Sequence, residues 1–250
     1  LLSEAAHQWA TALGEKAAAA TPMLPEVGDR FRRGVKPRDL ITVSQWAERH
    51  RELRSGTNAP GPWHNALTPY LVEIMDALSE HSSVRQVTFM KSSGVGGTEA
   101  MFNWIGYLMH HLGNKDLLCV MPTLELRDRS FNPRLAKMID ESPALAGLVS
   151  TAKRDRANRG DLLEYGARSR IIKAGANSPD SLRSDHLPYV ICDEVDAFPW
   201  DVGGEGDPMT LIENRQRTFS RAKTYLVSTP TLEGQSRIDI EYRRTDMRRY

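Results

Sequence analysis

The sequence predicts an α/β fold, a mainly parallel sheet with helices on both faces, preceded by a helical N-terminal extension. Three observations predict it. Short apolar runs alternate with longer segments of helical periodicity from Gln86 onward. Glycine-rich or acidic turns close the apolar runs at Met90 and Cys192. The 250-residue chain, 40% hydrophobic, is long enough to bury a large core.

Residues 1–21, alanine-rich and stopped by Pro22, read as one helix, and a second helical piece spans Val43 to Arg54. Ser55-Gly-Thr-Asn-Ala-Pro-Gly-Pro62 reads as a linker, which divides the chain into an extension over 1–58, a main domain over 63–235 and a trailing segment over 236–250. In the main domain, Leu71, Ile74, Met75 and Leu78 share one helical face. Then come a strand at Gln86–Met90, a helix at Thr98–His111, a strand at Asp116–Met121 and a helix at Leu124–Asp140. A hairpin through Gly166 joins strands at 161–165 and 169–174; a strand ends at Asp193, a helix covers Pro208–Phe219, and a strand ends at Ser228. Arg237-Ile-Asp-Ile-Glu-Tyr-Arg-Arg244 alternates like a further strand.

The strand at Gln86–Met90 runs into Lys91-Ser92-Ser93-Gly94-Val95-Gly96-Gly97-Thr98. Gly94, Gly96 and Gly97 lack the Cβ that keeps backbone amides from converging on an anion, and the helix that follows points its positive end at the same place. Against the phosphate-loop template G-x-x-x-x-G-K-[ST], Gly97 stands in the lysine position and Lys91 in that of the first glycine. The loop is a phosphate cradle with its lysine moved forward, or a plain strand-to-helix turn. Tyr189-Val-Ile-Cys-Asp-Glu-Val-Asp196 has the form of a Walker B strand, in which Asp193 would hold Mg²⁺ opposite the Thr98 hydroxyl and Glu194 would polarise the attacking water. Acids that merely end a strand at the surface are the alternative. Ser228-Thr229-Pro230 follows a third apolar strand and reads either as a γ-phosphate coupling motif or as a turn.

Lys91 to Thr98, Ser181-Leu-Arg-Ser184, Asp193-Glu194, Gly204-Glu-Gly-Asp-Pro208 and Ser228-Thr-Pro230 together resemble the large terminase subunits of tailed phages, most closely the lambda type, over roughly Trp63 to Gln235. The resemblance implies a P-loop ATPase of the helicase/terminase-like ASCE kind that uses ATP and Mg²⁺ to drive double-stranded DNA into a procapsid. It implies as partners the small terminase subunit, the portal protein and further copies of the chain in a ring, within the bacterial host cytoplasm. By position, Lys91 becomes the phosphate lysine, Ser92 to Gly97 the rest of the loop, Thr98 and Asp193 the metal ligands, and Glu194 the catalytic carboxylate. The loop has Gly94 where many relatives carry arginine, so Arg183, about ten residues before Asp193, is the candidate transition-state cation. Trp63-His-Asn-Ala-Leu-Thr-Pro-Tyr70 lies where relatives bind adenine, though no glutamine follows Tyr70, so Tyr70 or Trp63 is either the stacking ring or a core-packing aromatic. A helicase-like translocase without a packaging role, or a binding module with a decayed loop, shares these motifs; Glu99 favours the latter by placing a negative charge beside the pocket. The nuclease of the family would lie beyond Tyr250, and this segment is expected not to cut DNA.

Cys119 and Cys192 lie in apolar runs and read as buried small hydrophobes; with no zinc-type spacing, a reduced setting is expected. His110 and His111 read as a helix end. No apolar run approaches the ~20 residues of a membrane span and the start lacks the form of a secretory signal. Net charge is only +1, but cations bunch at Arg30–Arg33 with Lys36 and Arg38, at Lys153–Arg156 with Arg159, and at Arg243, Arg244, Arg248 and Arg249. Spaced cations suit a motor that must grip and release a phosphate backbone; a solvated face explains each run equally.

Overall fold

The computed structural model describes residues 8, 11, 39–53, 59–149, 160–183, 185–245 and 247–249. The chain forms two compact units, Leu1–Ile41 and Thr42–Tyr250. Apart from residues 8 and 11, the expected helix at 1–21 lies outside the described residues, as do the cation clusters at 30–38 and 153–159. The larger unit begins at Thr42, so the helix α1 (Val43–His50) belongs to it. Thr42 and Gln45 form a reciprocal capping box at its start. Two-residue strands β1 (Glu52–Leu53) and β2 (Gly61–Pro62) pair across the expected linker.

A seven-stranded sheet organises the unit. Its strands are β3 (Gln86–Met90), β4 (Leu117–Met121), β5 (Leu162–Tyr165), β6 (Ser169–Gly175), β7 (Tyr189–Asp193), β8 (Lys223–Ser228) and β9 (Met247–Arg249). Their order is β5-β6-β4-β7-β8-β3-β9, with β5 antiparallel and every other pairing parallel. Sequence pattern explains position. β4 and β7 are unbroken apolar runs with every residue buried, as central parallel strands covered on both faces must be. β5 alternates exposed and buried residues, as an edge strand with one wet face does. The hairpin between β5 and β6 turns through Gly166 at φ 55°, a left-handed conformation that favours glycine.

β8 lies between β3 and β7, although it follows both in sequence. Its register sets Ser228 beside Met90 and Val227 beside Asp193, so the segments after β3, β7 and β8 emerge side by side at the carboxyl edge.

Helices α2 (Tyr70–Ala77), α3 (Gly97–Tyr107), α4 (Leu124–Leu126), α5 (Asn132–Glu141), α6 (Pro143–Ala146), α7 (Pro179–Arg183), α8 (Pro208–Gln216) and α9 (Arg237–Arg244) complete the described elements. α3 is buried continuously from Ala100 to Tyr107, which its nearly uninterrupted apolar sequence permits. The expected helix from Leu124 to Asp140 is interrupted by a π-turn at Arg127–Phe131, and α3 likewise ends in a π-turn at Leu108–Leu112. His110 in that second turn accepts a 3.0 Å hydrogen bond at Nδ1 from the Trp46 indole. Cys119 and Cys192 sit on adjacent strands as free, fully buried thiols, and burial pushes both thiol pKa values up.

Residues 237–244 correct one expectation: they form a helix, α9, and not a strand. The apparent alternation came from Ile238, Ile240 and Tyr242, yet Ile240 is 40% exposed, while Arg237, Ile238, Glu241 and Tyr242 make the inward stripe. Local capping decides it. The Ser236 hydroxyl accepts from the Asp239 amide, and Asp239 pairs with Arg243 one turn on.

Candidate active site

The sheet edge brings together most of the residues singled out by their pattern. Gly94 and Gly96 adopt left-handed conformations at φ 80° and 78°, turning the backbone twice before α3 begins at Gly97. Such left-handed turns let backbone amides turn toward a common side, as anion-binding loops require, and the amino end of α3 follows directly. Ser92, Ser93 and Gly94 are exposed, and Thr98 is half-buried in the first turn of α3.

Lys91 is drawn inward instead, to 8% exposure. Its amide donates to the Ser228 carbonyl at 3.0 Å, and its Nζ stands 3.6 Å from Glu194 Oε1. A Cβ on Gly97 would meet Lys91 Cδ at 2.7 Å, Lys91 Cε at 2.8 Å and Val227 Cγ2 at 2.8 Å. Glycine thus occupies the usual lysine position because the displaced lysine lies across it. The two departures from the template are one feature. Tyr225, fully buried on β8, donates its hydroxyl to the Gly97 carbonyl at 3.1 Å and pins the start of α3.

Asp193 ends β7 at 9% exposure, and its Oδ1 accepts the Glu194 amide at 3.1 Å. Burial, and then the adjacent Glu194 charge, push its carboxyl up to about 6, against the opposing pull of Lys91 and Arg134. Glu194 is the turning point, with φ 53° and ψ 52° in the left-handed region, where a residue with a Cβ is strained. That conformation turns its half-exposed carboxylate toward Lys91.

Ser228 is fully buried, donating its hydroxyl to the Thr229 carbonyl at 3.2 Å and accepting the Asp196 amide at 3.1 Å. Thr229 is half-buried and Pro230 exposed. Tyr70 is 49% exposed and donates to the Val95 carbonyl at 3.3 Å, so its ring stands beside the loop. Trp63 is not a comparable candidate: it is 5% exposed, and its indole is engaged by Asn65 Oδ1 at 2.8 Å.

Arg183 lies at the end of α7, which Ser181 anchors by donating to the Gly175 and Ser178 carbonyls. Its guanidinium pairs with Glu205 in the loop before α8. Ser184 lies outside the described residues. Asp201 shapes that loop by accepting the Gly204 and Gly206 amides at 2.8 and 2.9 Å.

Sequence reasoning marked Glu99 but missed its partners. Glu99, next to Thr98, is held by Arg51 and Arg134, each at 3.0 Å, and Arg134 also lies over the Phe102 ring. The negative charge beside the loop is therefore compensated, and the triad carries a net positive charge. Nothing in the pattern marks Arg51 or Arg134, since they come from α1's end and from α5, far away in sequence. Asp196 was visible only as one more acid after Glu194. Among the described residues no group of three or more His, Cys, Asp or Glu could hold a metal. Thr98 and Asp193 are nonetheless the hard oxygen donors suited to Mg²⁺, which keeps waters and substrate phosphates as its remaining ligands. A nucleotide-borne metal needs no larger protein cage.

Residues 57–250 match the family described as "Phage terminase large subunit gpA, ATPase domain". The chain is 26% identical over 201 residues to the terminase large subunit of Enterobacteria phage P21, covering 80% of this chain and 31% of that protein. It is 23% identical over 200 residues to the terminase large subunit of Escherichia phage lambda, covering 79% and 31%. The crystal structure of the HK97 bacteriophage large terminase shares the fold, with a TM-score of 0.60 at 14% identity, over 82% of this chain and 41% of that one. The chain therefore spans about a third of the curated relatives it matches.

Proposed function

The chain belongs to the phage terminase large subunit gpA ATPase-domain family, and from that premise we propose that it is the motor portion of a DNA-packaging subunit, coupling ATP hydrolysis to the movement of double-stranded DNA into a procapsid. The observation that carries this reading is the approach of Lys91 Nζ to Glu194, at 3.6 Å, over the space left by Gly97. The forward lysine and the paired acids thus converge on one point, where both could reach the same triphosphate once Lys91 and Glu194 part.

In this reading the amides of Ser92 to Gly97 and the amino end of α3 cradle the phosphates, and Lys91 leaves Glu194 for the γ-phosphate. Thr98 and Asp193 would hold Mg²⁺, which would offset the charge of the phosphate oxygens. Glu194, released from Lys91, orients and polarises the attacking water. Asp193, whose carboxyl burial pushes up to about 6, would have to be ionised to bind the cation, and a cation there would favour that form. Tyr70 offers a ring to the base beside Val95. Ser228, Thr229 and Pro230 adjoin both Lys91 and the Glu194 turn, where a change at the γ-phosphate is felt. Arg183 serves as the transition-state cation for a neighbouring subunit once it parts from Glu205.

The partners that follow are double-stranded DNA, the small terminase subunit, the portal and further copies of the chain in a ring, in the cytoplasm of the bacterial host. A decayed loop is disfavoured by the compensation of Glu99 through Arg51 and Arg134.

The test is DNA-stimulated ATP turnover by the full-length protein in its packaging complex. Glu194→Gln should lower it by about 10²- to 10⁴-fold with ATP affinity kept. Unchanged turnover would remove Glu194 from the chemistry and with it this mechanism.

A further inference from the structure

Asp196 belongs to no part of the nucleotide site, yet it holds more contacts than any acid in it. It lies in the 3₁₀ turn Val195–Ala197, which starts from the left-handed Glu194. Its amide donates to Ser228 Oγ at 3.1 Å. Its Oδ2 accepts from the Thr231 amide at 2.8 Å and the Thr231 hydroxyl at 2.7 Å. Its Oδ1 accepts from the Ile238 amide at 2.6 Å and the Ser236 hydroxyl at 3.1 Å. A carboxylate offers about four lone-pair sites, and all four are taken by two segments distant in sequence. The charge also sits at the amino end of α9, where the helix dipole favours it.

We propose that Asp196 is a positioning residue that transmits the state of Glu194 to Thr231 and α9, making α9 the output element of the hydrolysis site. The proposal rests on reading Glu194 as the catalytic carboxylate. Glu194 has two backbone wells, the strained left-handed one it occupies and the ordinary right-handed one. A change between them reorients the short turn that carries Asp196, which either drags Thr231 and α9 along or lets them go.

Two further contacts extend the reach of α9. Arg237, 3% exposed, grips Asp207 at 2.7 and 2.9 Å and the Pro199 carbonyl at 2.8 Å, with its guanidinium 4.0 Å over Trp200. The loop it grips carries Glu205, the partner of Arg183. Gln86 at the start of β3 donates to Glu241 on α9 at 3.4 Å. Movement of α9 therefore bears both on the strand that delivers Lys91 and on the loop that restrains Arg183.

The experiment compares wild type, Asp196→Asn and Glu194→Gln in the full-length protein within its packaging complex. It reads ATP consumed per length of DNA packaged, ATP-analogue affinity, and hydrogen exchange of the Ile238 amide with and without analogue. The asparagine keeps the size but turns an NH₂ toward donors on one side. Expected are unchanged analogue affinity, a rise of about fivefold or more in ATP consumed per length of DNA, and exchange at Ile238 that no longer responds to analogue. A helix cap with no relay role would lower thermal stability and reduce hydrolysis and packaging in proportion, with the nucleotide response at Ile238 retained; that result overturns the proposal. If Asp196→Asn does not fold, Thr231→Val with Ser236→Ala removes two donors from the other side and must give the same changed ratio, an unchanged ratio again counting against the relay. Full turnover in Glu194→Gln refutes the underlying site whatever Asp196 does. Lost turnover there with a normal ratio in Asp196→Asn refutes the relay alone.

Discussion

Two buried lysines at opposite ends of the sheet have different fates. Lys223, at the amino end of β8 and 4% exposed, donates its amine to the carbonyls of Ala77, Ser82 and Val84. Lys91, beyond the carboxyl end of neighbouring β3 and 8% exposed, faces the Glu194 carboxylate 3.6 Å away. The first ammonium has its three hydrogens matched by three acceptors of the chain itself. The second is buried, paired at longer range with one carboxylate, and packed against a loop whose Ser92, Ser93 and Gly94 are exposed. A buried charge fully matched by carbonyls of the chain is structural, and one held only by a half-exposed carboxylate beside an exposed loop is free to change partner for a ligand.

That contrast breaks most visibly in the pair of substitutions it compares. Lys91→Ala should reduce ATP turnover by about 10²-fold or more while the melting temperature stays near that of wild type, as calorimetry and a turnover assay on the same preparation would establish. Lys223→Met should do the reverse. One buried and two part-buried carbonyls lose their donor, at a cost of about 2–4 kcal/mol in stability by denaturant titration, with nucleotide affinity unchanged in the fraction that folds. Equal effects of the two on affinity would erase the distinction.

Asp193 sharpens the comparison through pH. Its folded-state pKa is raised from 3.8 to about 6, so the ionised form is disfavoured in the native state. Without nucleotide it lowers stability in full above about pH 6, progressively less between pH 6 and 4, and not at all below. Asp193→Asn should accordingly stabilise the nucleotide-free protein at pH 7 by about 2–3 kcal/mol, a gain that vanishes toward pH 4, while abolishing Mg²⁺-dependent hydrolysis. A gain independent of pH would show that the strain is not electrostatic. The smallest expected effect is that of Gly97→Ala. The added methyl displaces Lys91 and presses on buried Val227, which should weaken ATP-analogue binding by about tenfold in a titration and cost about 1–2 kcal/mol in stability. Normal binding would mean that the lysine does not lie across the loop when nucleotide is present.

Much of this was legible in the sequence, for identifiable reasons. β4 is a continuous apolar run and β7 one closed by its acid, while β3 and β8 hold apolar stretches broken by Gln86, Thr88, Lys223 and Thr224, and burial on both faces leaves such runs little alternative. Lys91, Asp193, Glu194 and Ser228 were readable because each sits at the end of one of those runs. The 237–244 segment misled because isoleucine at every second position imitates a strand, while the capping by Ser236 that makes it a helix is a one-residue signal. The Arg51–Glu99–Arg134 triad and the Asp196 hub were invisible because their members meet only after α1, α3, α5, β8 and α9 have packed. The compensating relation of Gly97 and Lys91 is intermediate: both departures from the template showed in the sequence, but their shared cause is a contact in space.

The central claim is that Lys91 and the Asp193–Glu194 pair face a single nucleotide. The most direct test is a structure of the full-length protein with Mg²⁺ and a non-hydrolysable ATP analogue. It should place Lys91 Nζ on a γ-phosphate oxygen, with Glu194 one water away from the phosphorus. An analogue bound elsewhere, with Lys91 still turned to Glu194, would contradict it.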